Sequence, residues 1–374
     1  MILKISHYIS KMTIALDIRM YNNSGIGVYL KNLLNCYDSI GKANEFLLIA
    51  KPEEIVNIEG FKKFYYFNQP IYSLSEQFKY PIQFKDVDLL HYPHYAFPLK
   101  YKGKIVITIH DLNHILFKNK LWEIHHYFYA KYMLLKAIKR ADAIIVGSNF
   151  IKNSLINIIN APAEKINVVY YGIGDHFKRC DDKNILDNFK KKYSLPSRYL
   201  LTSGINKPHK NFSFLIDCYS ELIKENKTEI PLVIAGMSNN KKDDLISQIK
   251  NYNLEKKIIF CPYIDDAEMP LLYSGAEVFV YPSLYEGFGL PLAEAMACGV
   301  PIASSNSEPM PEVLCDAALF FDPKDKAAFK KTIVNLLGDT SLKNILIEKG
   351  YNRAKDFSMR SMAEKTYSVY KKVI

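Results

Sequence analysis

With 374 residues, 49% hydrophobic and 24% charged, the chain is long enough for two cores of ordinary size and too apolar to stay disordered. No stretch reaches the roughly 18 apolar residues of a membrane-spanning helix, and the leading residues to Lys11 lack the apolar core of a secretory signal. The net charge of +10 is uneven: residues 1–179 hold 23 basic and 14 acidic side chains (+9), and residues 180–374 hold 26 and 25 (+1).

In chain order, short apolar runs alternate with helical periodicity, the pattern of parallel α/β architecture. Residues 1–11 read as a frayed extension, and strands are expected at 13–18, 46–50, 87–91, 105–109, 143–147 and 167–171. Between the first two, Ile26, Tyr29, Leu30, Leu33, Leu34 and Tyr37 recur with the helical period. The loop opening that helix carries Gly25 and Gly27, but Leu30 stands where a dinucleotide fingerprint needs its third glycine. Asp86 and Asp88 nominally form a D-x-D metal pair, yet they precede a strand instead of ending one and read as its polar entry. Strand ends deliver His91, His94, His110, Asp111 and Ser148 to the edge where open α/β sheets bind ligands. The helix near 122–139 mixes His125, His126, Tyr127, Phe128, Tyr129 and Tyr132 with Lys131, Lys136 and Lys139. That suits either an interfacial surface or a core helix with a solvated basic face.

A seam is expected at 175–188, where Gly, Asp and Lys cluster; the alternation then restarts with strands at 199–203, 232–235, 257–261, 278–281, 301–304 and 318–321. Two successive α/β units follow, residues 1–178 and 179–357, with a last helix at 358–374 expected to return to the first unit. The cysteines (Cys36, Cys180, Cys218, Cys261, Cys298 and Cys315) show no C-x-x-C spacing, which argues against zinc and for buried thiols in a reducing cytoplasm.

Two stretches carry the chemistry. After the strand at 278–281 comes a loop with Glu286, Gly287, Phe288 and Gly289, then a helix with Leu290, Pro291 and Glu294, ended by Gly299. A glycine loop feeding a helix N-terminus is an anion site, and carboxylates beside it accept hydrogen bonds from sugar or ribose hydroxyls. Together they describe a nucleotide-sugar pocket, provided Glu286 sits in the loop and Glu294 on the helix. After the strand at 199–203, Gly204 opens a loop with Lys207, His209 and Lys210, and Asn211 is the expected N-cap of the next helix. A cation there opposes the helix dipole unless an anion joins it, and a diphosphate would serve.

The 281–301 segment, with its flanks at 263–277 and 304–323, resembles the E-x7-E signature of retaining glycosyltransferases of the GT-B fold, glycosyltransferase family 4. The resemblance implies two Rossmann-like domains facing across a cleft. Residue by residue it implies that Glu294 binds ribose, that Glu286 contacts donor-sugar hydroxyls, and that the Phe288–Leu290 backbone, with Gly289, faces sugar and diphosphate. It assigns Lys210 to the phosphates, Gly25 and Gly27 to the first glycine loop, and His110 to the donor sugar. Many members carry Arg directly after the glycine, where this chain has Ile205, so the second cation is Lys207, His209 or absent. The Pro208-His-Lys-Asn211 sequence resembles bacterial mannosyltransferase-like members. The implied reaction is metal- and cofactor-independent hexosyl transfer with retention, mannose from GDP-mannose being the first candidate. The acceptor would be a saccharide, free or lipid-linked, in surface polysaccharide or O-antigen synthesis, with Asp111, His94 and Ser148 as candidates for its side. Membrane contact through the basic first half is a candidate interaction; nucleic acid is not expected. Competing readings are a nucleotide-sugar epimerase, a phosphorylase, a non-catalytic nucleotide-sugar binder and a nicotinamide oxidoreductase. The last lacks its fingerprint, and the phosphorylase lacks a recognisable pyridoxal lysine.

Overall fold

The apolar runs pair into two parallel sheets. The structure, a computed structural model, describes all residues except 1–11, 24, 54–57, 117–122 and 238–241, so the leading extension and Trp122 lie outside the described residues. The first sheet contains β1 (Ile14–Asp17), β2 (Phe46–Ala50), β3 (Lys63–Tyr66), β4 (Leu89–Tyr92), β5 (Ile105–Ile109), β6 (Ala143–Val146) and β7 (Ile166–Val168). Its order is β3-β2-β1-β4-β5-β6-β7. The second contains β8 (Leu200–Ser203), β9 (Leu232–Ala235), β10 (Ile258–Phe260), β11 (Val278–Tyr281), β12 (Ile302–Ser305) and β13 (Ala318–Phe321), in the order β10-β9-β8-β11-β12-β13. Strands β1, β4, β5 and β6 are buried along their whole length, as expected of parallel sheets covered on both faces.

Most expected strands appear within a residue or two of their predicted ends. The expected strand at 167–171 is shorter and begins one residue earlier, and β3 was not foreseen. Lys63-Phe-Tyr-Tyr66 is an edge strand with exposed ends, so it shows no continuous apolar run.

The chain divides into one unit of residues up to Gly172 plus Met359–Ile374, and a second of Ile173–Ser358. The boundary thus precedes the expected seam, and part of that seam is helical. Asp182 accepts from the backbone N–H of Asn184 and Ile185 and caps the Lys183–Lys192 helix, whose few apolar positions are diluted by lysines. Within the first unit the Met359–Val373 helix packs on the Ile26–Ser39 helix. Tyr37 donates to Ala363 O (3.2 Å), Tyr367 bonds Glu45, and Lys104 Nζ reaches Val373 O and Ile374 O at 2.8 Å. The Phe212–Lys224 helix buries Leu215, Ile216, Tyr219 and Leu222 against Ile234 and Val280 in the second unit's core.

Each sheet changes the direction of its strand order once, between β1 and β4 and between β8 and β11. In doubly wound sheets the crevice at that switch is where ligands bind.

Candidate active site

In the second unit the loops after β8 and β11 leave neighbouring strands at the switch. Gly204 adopts φ +141° and Gly236, after β9, φ +83°. A side chain on Gly236 would place its Cβ 3.2 Å from Gly204 N, and one on Gly204 would lie 3.4 Å from Lys210 Cε. The glycines therefore let two strand ends and the Lys210 stem converge. The loop closes through a single 3₁₀ turn, Pro208–Lys210, and His209 O accepts from Leu284 N (2.7 Å), tying it to the loop after β11. Asn211 precedes the Phe212–Lys224 helix as expected, but its side chain makes no capping bond. It sits at φ +58° and donates to Pro282 O (3.2 Å) and Pro323 O (3.0 Å), pinning three loops together. A short amide with two N–H groups suits that task and tolerates the left-handed backbone.

Lys210 Nζ lies 2.7 Å from Glu286 Oε1 and 3.0 Å from the Tyr281 hydroxyl, 5.1 Å from the Tyr281 ring centroid. Both members of the ion pair are close to buried, with side chains 13% and 12% exposed. Burial, the largest single effect, would discharge Lys210, but the charge of Glu286, Tyr281 and the hydrogen bonds to both together outweigh it and raise the ammonium pKa. Burial likewise pushes Glu286 upward, and Lys210, with help from His209, leaves it below the usual carboxylate range. The anion beside Lys210 is thus Glu286, where the sequence suggested a diphosphate. Of the two candidates for a second cation, His209 acts on Glu286 through its charge, whereas Lys207 is exposed.

Glu286 lies in the loop and Glu294 on the Leu290–Ala297 helix, the placement expected from the sequence. Gly289 precedes that helix at φ +94° and Pro291 falls in its first turn. Phe288 is buried edge-on to Phe357 (5.3 Å between centroids), which turns its side chain inward. Glu294 Oε2 accepts from the Tyr273 hydroxyl at 2.8 Å. Burial lifts this carboxyl to about 7, the Tyr273 hydrogen bond opposing and Asp266 adding to the rise. Tyr273, on the Met269–Ser274 helix, was not singled out from the sequence, although it lies in the 263–277 flank.

In the first unit, Gly25 stands at φ +73° just before the Ile26–Ser39 helix. Gly27 is fixed by space instead: a Cβ there would collide with the Tyr21 carbonyl oxygen. His110 Nε2 is 3.0 Å from Pro93 O and Nδ1 2.8 Å from the Tyr171 hydroxyl. A carbonyl only accepts, so Nε2 carries the proton; burial lowers the pKa to about 4 and the ring is neutral. Asp111 Oδ1 accepts from Asn113 N (2.9 Å). His94 Nδ1 accepts from Ala96 N (3.0 Å), and its Nε2 faces the Tyr72 hydroxyl at 3.0 Å. Ser148 is fully buried and its hydroxyl caps the Asn149–Ile159 helix. His91, expected from the sequence at the ligand-binding edge of the sheet, is instead sealed between Tyr370 (2.6 Å) and Thr108 (2.7 Å) and anchors the final helix. Missed altogether was a buried network in which Arg19 joins Asp17 (2.7 Å) and Glu76 (2.6 Å), with Tyr80 and Tyr92 completing it. Its one sequence signal is an arginine directly after an apolar strand.

The two sheets are those of a two-domain glycosyltransferase with the GT-B fold. The chain is similar to Anabaena Alr3699/HepE in complex with UDP-glucose, with a TM-score of 0.77 at 16% identity, covering 96% of this chain and 100% of that one. It is also similar to WaaG, a glycosyltransferase involved in lipopolysaccharide biosynthesis (TM-score 0.73, 13% identity, 95% and 99% covered). Residues 25–176 match the family model for Glycosyltransferase Family 4 and residues 185–353 that for Glycosyl transferases group 1. Over 286 residues the chain is 32% identical to the O-antigen chain mannosyltransferase B of Escherichia coli, covering 76% of this chain and 74% of that protein. Over 273 residues it is 27% identical to the O-antigen chain mannosyltransferase RfbU of Salmonella typhimurium, covering 71% and 69%. The chain belongs to glycosyltransferase family 4 and is a glycosyltransferase. Among the described residues no helix is long and apolar enough to cross a membrane.

Proposed function

We propose that this enzyme transfers mannose, with retention, from GDP-mannose to a saccharide acceptor in O-antigen synthesis. The observation that carries the reading is the buried Lys210–Glu286 pair at the β8–β11 switch, in a chain similar to two O-antigen mannosyltransferases. The bond from the anomeric carbon to the donor phosphate breaks as a bond to the acceptor oxygen forms on the same face. The acceptor proton passes to the departing phosphate, so no protein nucleophile takes part. The leaving diphosphate gathers negative charge, which Lys210 and the N-terminus of the Leu290–Ala297 helix stabilise without a metal. In the donor complex Glu286 accepts from sugar hydroxyls and Glu294 from ribose, while Gly25, Gly27, Gly204 and the 288–290 backbone allow close approach. His209 is the favoured second cation. His110, neutral and with Nε2 already donating, orients the sugar and is not a proton carrier.

The acceptor is a saccharide, lipid-linked in the favoured form. The Glu123–Arg140 helix buries Ala130, Met133, Leu134 and Ala137 but exposes Phe128 (63%), Tyr132 (50%) and Leu135 (44%) among lysines, which suits contact with an anionic membrane surface. The test is transfer and donor hydrolysis with a panel of nucleotide sugars in EDTA, for wild type and Glu286→Ala. Turnover of GDP-mannose in EDTA that collapses in the variant supports the reading. Turnover of another donor replaces the sugar, dependence on added metal removes the account of the leaving group, and no turnover at all removes the enzymatic reading.

A further inference from the structure

At the carboxyl edge of the first sheet, beside the β1–β4 switch, lies a pocket of about 360 Å³ lined by Tyr72, Tyr95, His114, Tyr129 and Ala130. These come from the segments after β3, β4 and β5 and from the Glu123–Arg140 helix, so four separate pieces of chain build it. It lies at the small end of the roughly 300–1,000 Å³ of ligand pockets.

The pocket is held, not incidental. Tyr72 has φ +66°, a conformation that a bulky non-glycine residue rarely adopts and that clusters at functional sites. Its backbone N–H donates to Glu76 Oε2 (2.9 Å), and Glu76 Oε1 is in turn fixed by Arg19 (2.6 Å) and Tyr92 (2.8 Å) in the fully buried network. The far end is fixed too. Because His94 Nδ1 accepts from Ala96 N, its Nε2 donates to the Tyr72 oxygen (3.0 Å), leaving the Tyr72 hydroxyl proton to give. Tyr95 lies against His94 with 4.2 Å between ring centroids.

The lining chemistry selects the ligand. Among the described lining residues there is no lysine or arginine, and the charge of Asp111 acts on both Tyr72 and Tyr95. A phosphate would meet that acid with only the His114 imidazole, among the described lining residues, to offset it. Aromatic faces with phenol hydroxyls and one carboxylate instead match a neutral sugar ring, whose C–H face lies on an aromatic and whose hydroxyls need both donors and acceptors. We infer that this pocket binds one uncharged pyranose ring of the acceptor, with Tyr72 and Tyr129 as its aromatic walls. The inference rests on the saccharide-acceptor reading above.

The test is saturation-transfer NMR on the full chain with methyl α-mannopyranoside, and with adenosine and inorganic phosphate as probes of other classes. Tyr72→Gly removes the ring while accepting the positive φ, Tyr129→Ala trims an exposed helix position, and Tyr66→Ala is the control on an exposed tyrosine elsewhere. Thermal unfolding of each variant verifies folding. The mannoside should bind wild type and Y66A alike, and Y72G and Y129A about five- to tenfold more weakly. In transfer assays the acceptor KM should rise by the same factor in Y72G and Y129A and stay at the wild-type value in Y66A. Unchanged acceptor KM in Y72G and Y129A of an active transferase overturns the pocket alone, as does preferential binding of adenosine or phosphate there. Mannoside binding that falls in Y129A, in a protein that turns over no nucleotide sugar, upholds the pocket and overturns the proposed mannosyl transfer.

Discussion

Tyr273 donates its hydroxyl to Glu294 Oε2 at 2.8 Å, so the protein itself occupies one oxygen of this carboxylate. The phenol also holds down a pKa that burial drives up, and the carboxyl still titrates at about 7.

If the ionised Glu294 binds ribose, nucleotide affinity falls as pH drops below 7, approaching about tenfold per unit at the limit. Isothermal titration of GDP between pH 5.5 and 8.5 measures this. Glu294→Gln should bind weakly with a flat profile. Tyr273→Phe removes a group that lowers the pKa, so its profile should shift to higher pH.

The same group makes stability pH-dependent. Its folded pKa of about 7 exceeds the ordinary 4.5, so the stabilisation is complete below 4.5 and is lost as pH rises through 7. A sealed carboxyl would lose about 3 kcal/mol over that window; Glu294 keeps some exposure and should lose less. Urea unfolding at pH 5 and pH 8 should show the difference shrink in Glu294→Gln.

Lys210→Ala leaves Glu286 without its partner at a nearly buried position. We expect turnover to fall about 10²–10³-fold and stability by about 2–4 kcal/mol. The double variant Lys210→Met/Glu286→Gln should recover most of the stability and none of the turnover, as read from melting curves and donor hydrolysis.

The two glycines before and within the first turn of the Ile26–Ser39 helix should respond differently to alanine. Gly25 has open space around it and only its φ of +73° resists a side chain, at about 1–2 kcal/mol. At Gly27 the new Cβ would collide with Tyr21 O, and backbone must move. Chemical denaturation should rank Gly27→Ala well below Gly25→Ala.

Phe128→Ser/Leu135→Ser should weaken flotation with phosphatidylglycerol vesicles without altering hydrolysis of the donor. Wild-type binding should fall steeply with salt, because lysines on that helix supply part of the attraction. Equal flotation of both proteins would remove the helix from the membrane account.

Most of the parallel strands were legible because they are short apolar runs, several buried along their whole length, as at Ile105–Ile109. β3 was not, since an exposed edge strand has no apolar signature. At the site, Glu286, Glu294 and Lys210 stood out through their glycine loops, and the 2.7 Å bond between Lys210 and Glu286 was hidden because the two are 76 positions apart. Local spacing also could not show that Asn211 bonds Pro323 O rather than its own helix. Tyr72 was invisible for a related reason: its conformation is set by Glu76 and, through it, by Arg19, and no single-residue preference encodes that.

The return of Met359–Val373 to the first unit makes the second unit an insertion between two parts of the first. During synthesis, residues 173–358 are a continuous segment that can fold once it has left the ribosome. The first sheet, by contrast, must wait for Tyr370 to cover His91 (2.6 Å). The unit translated first is therefore the one completed last, and until then its apolar flank beside Tyr37 and Phe46 is open to chaperones and to other chains.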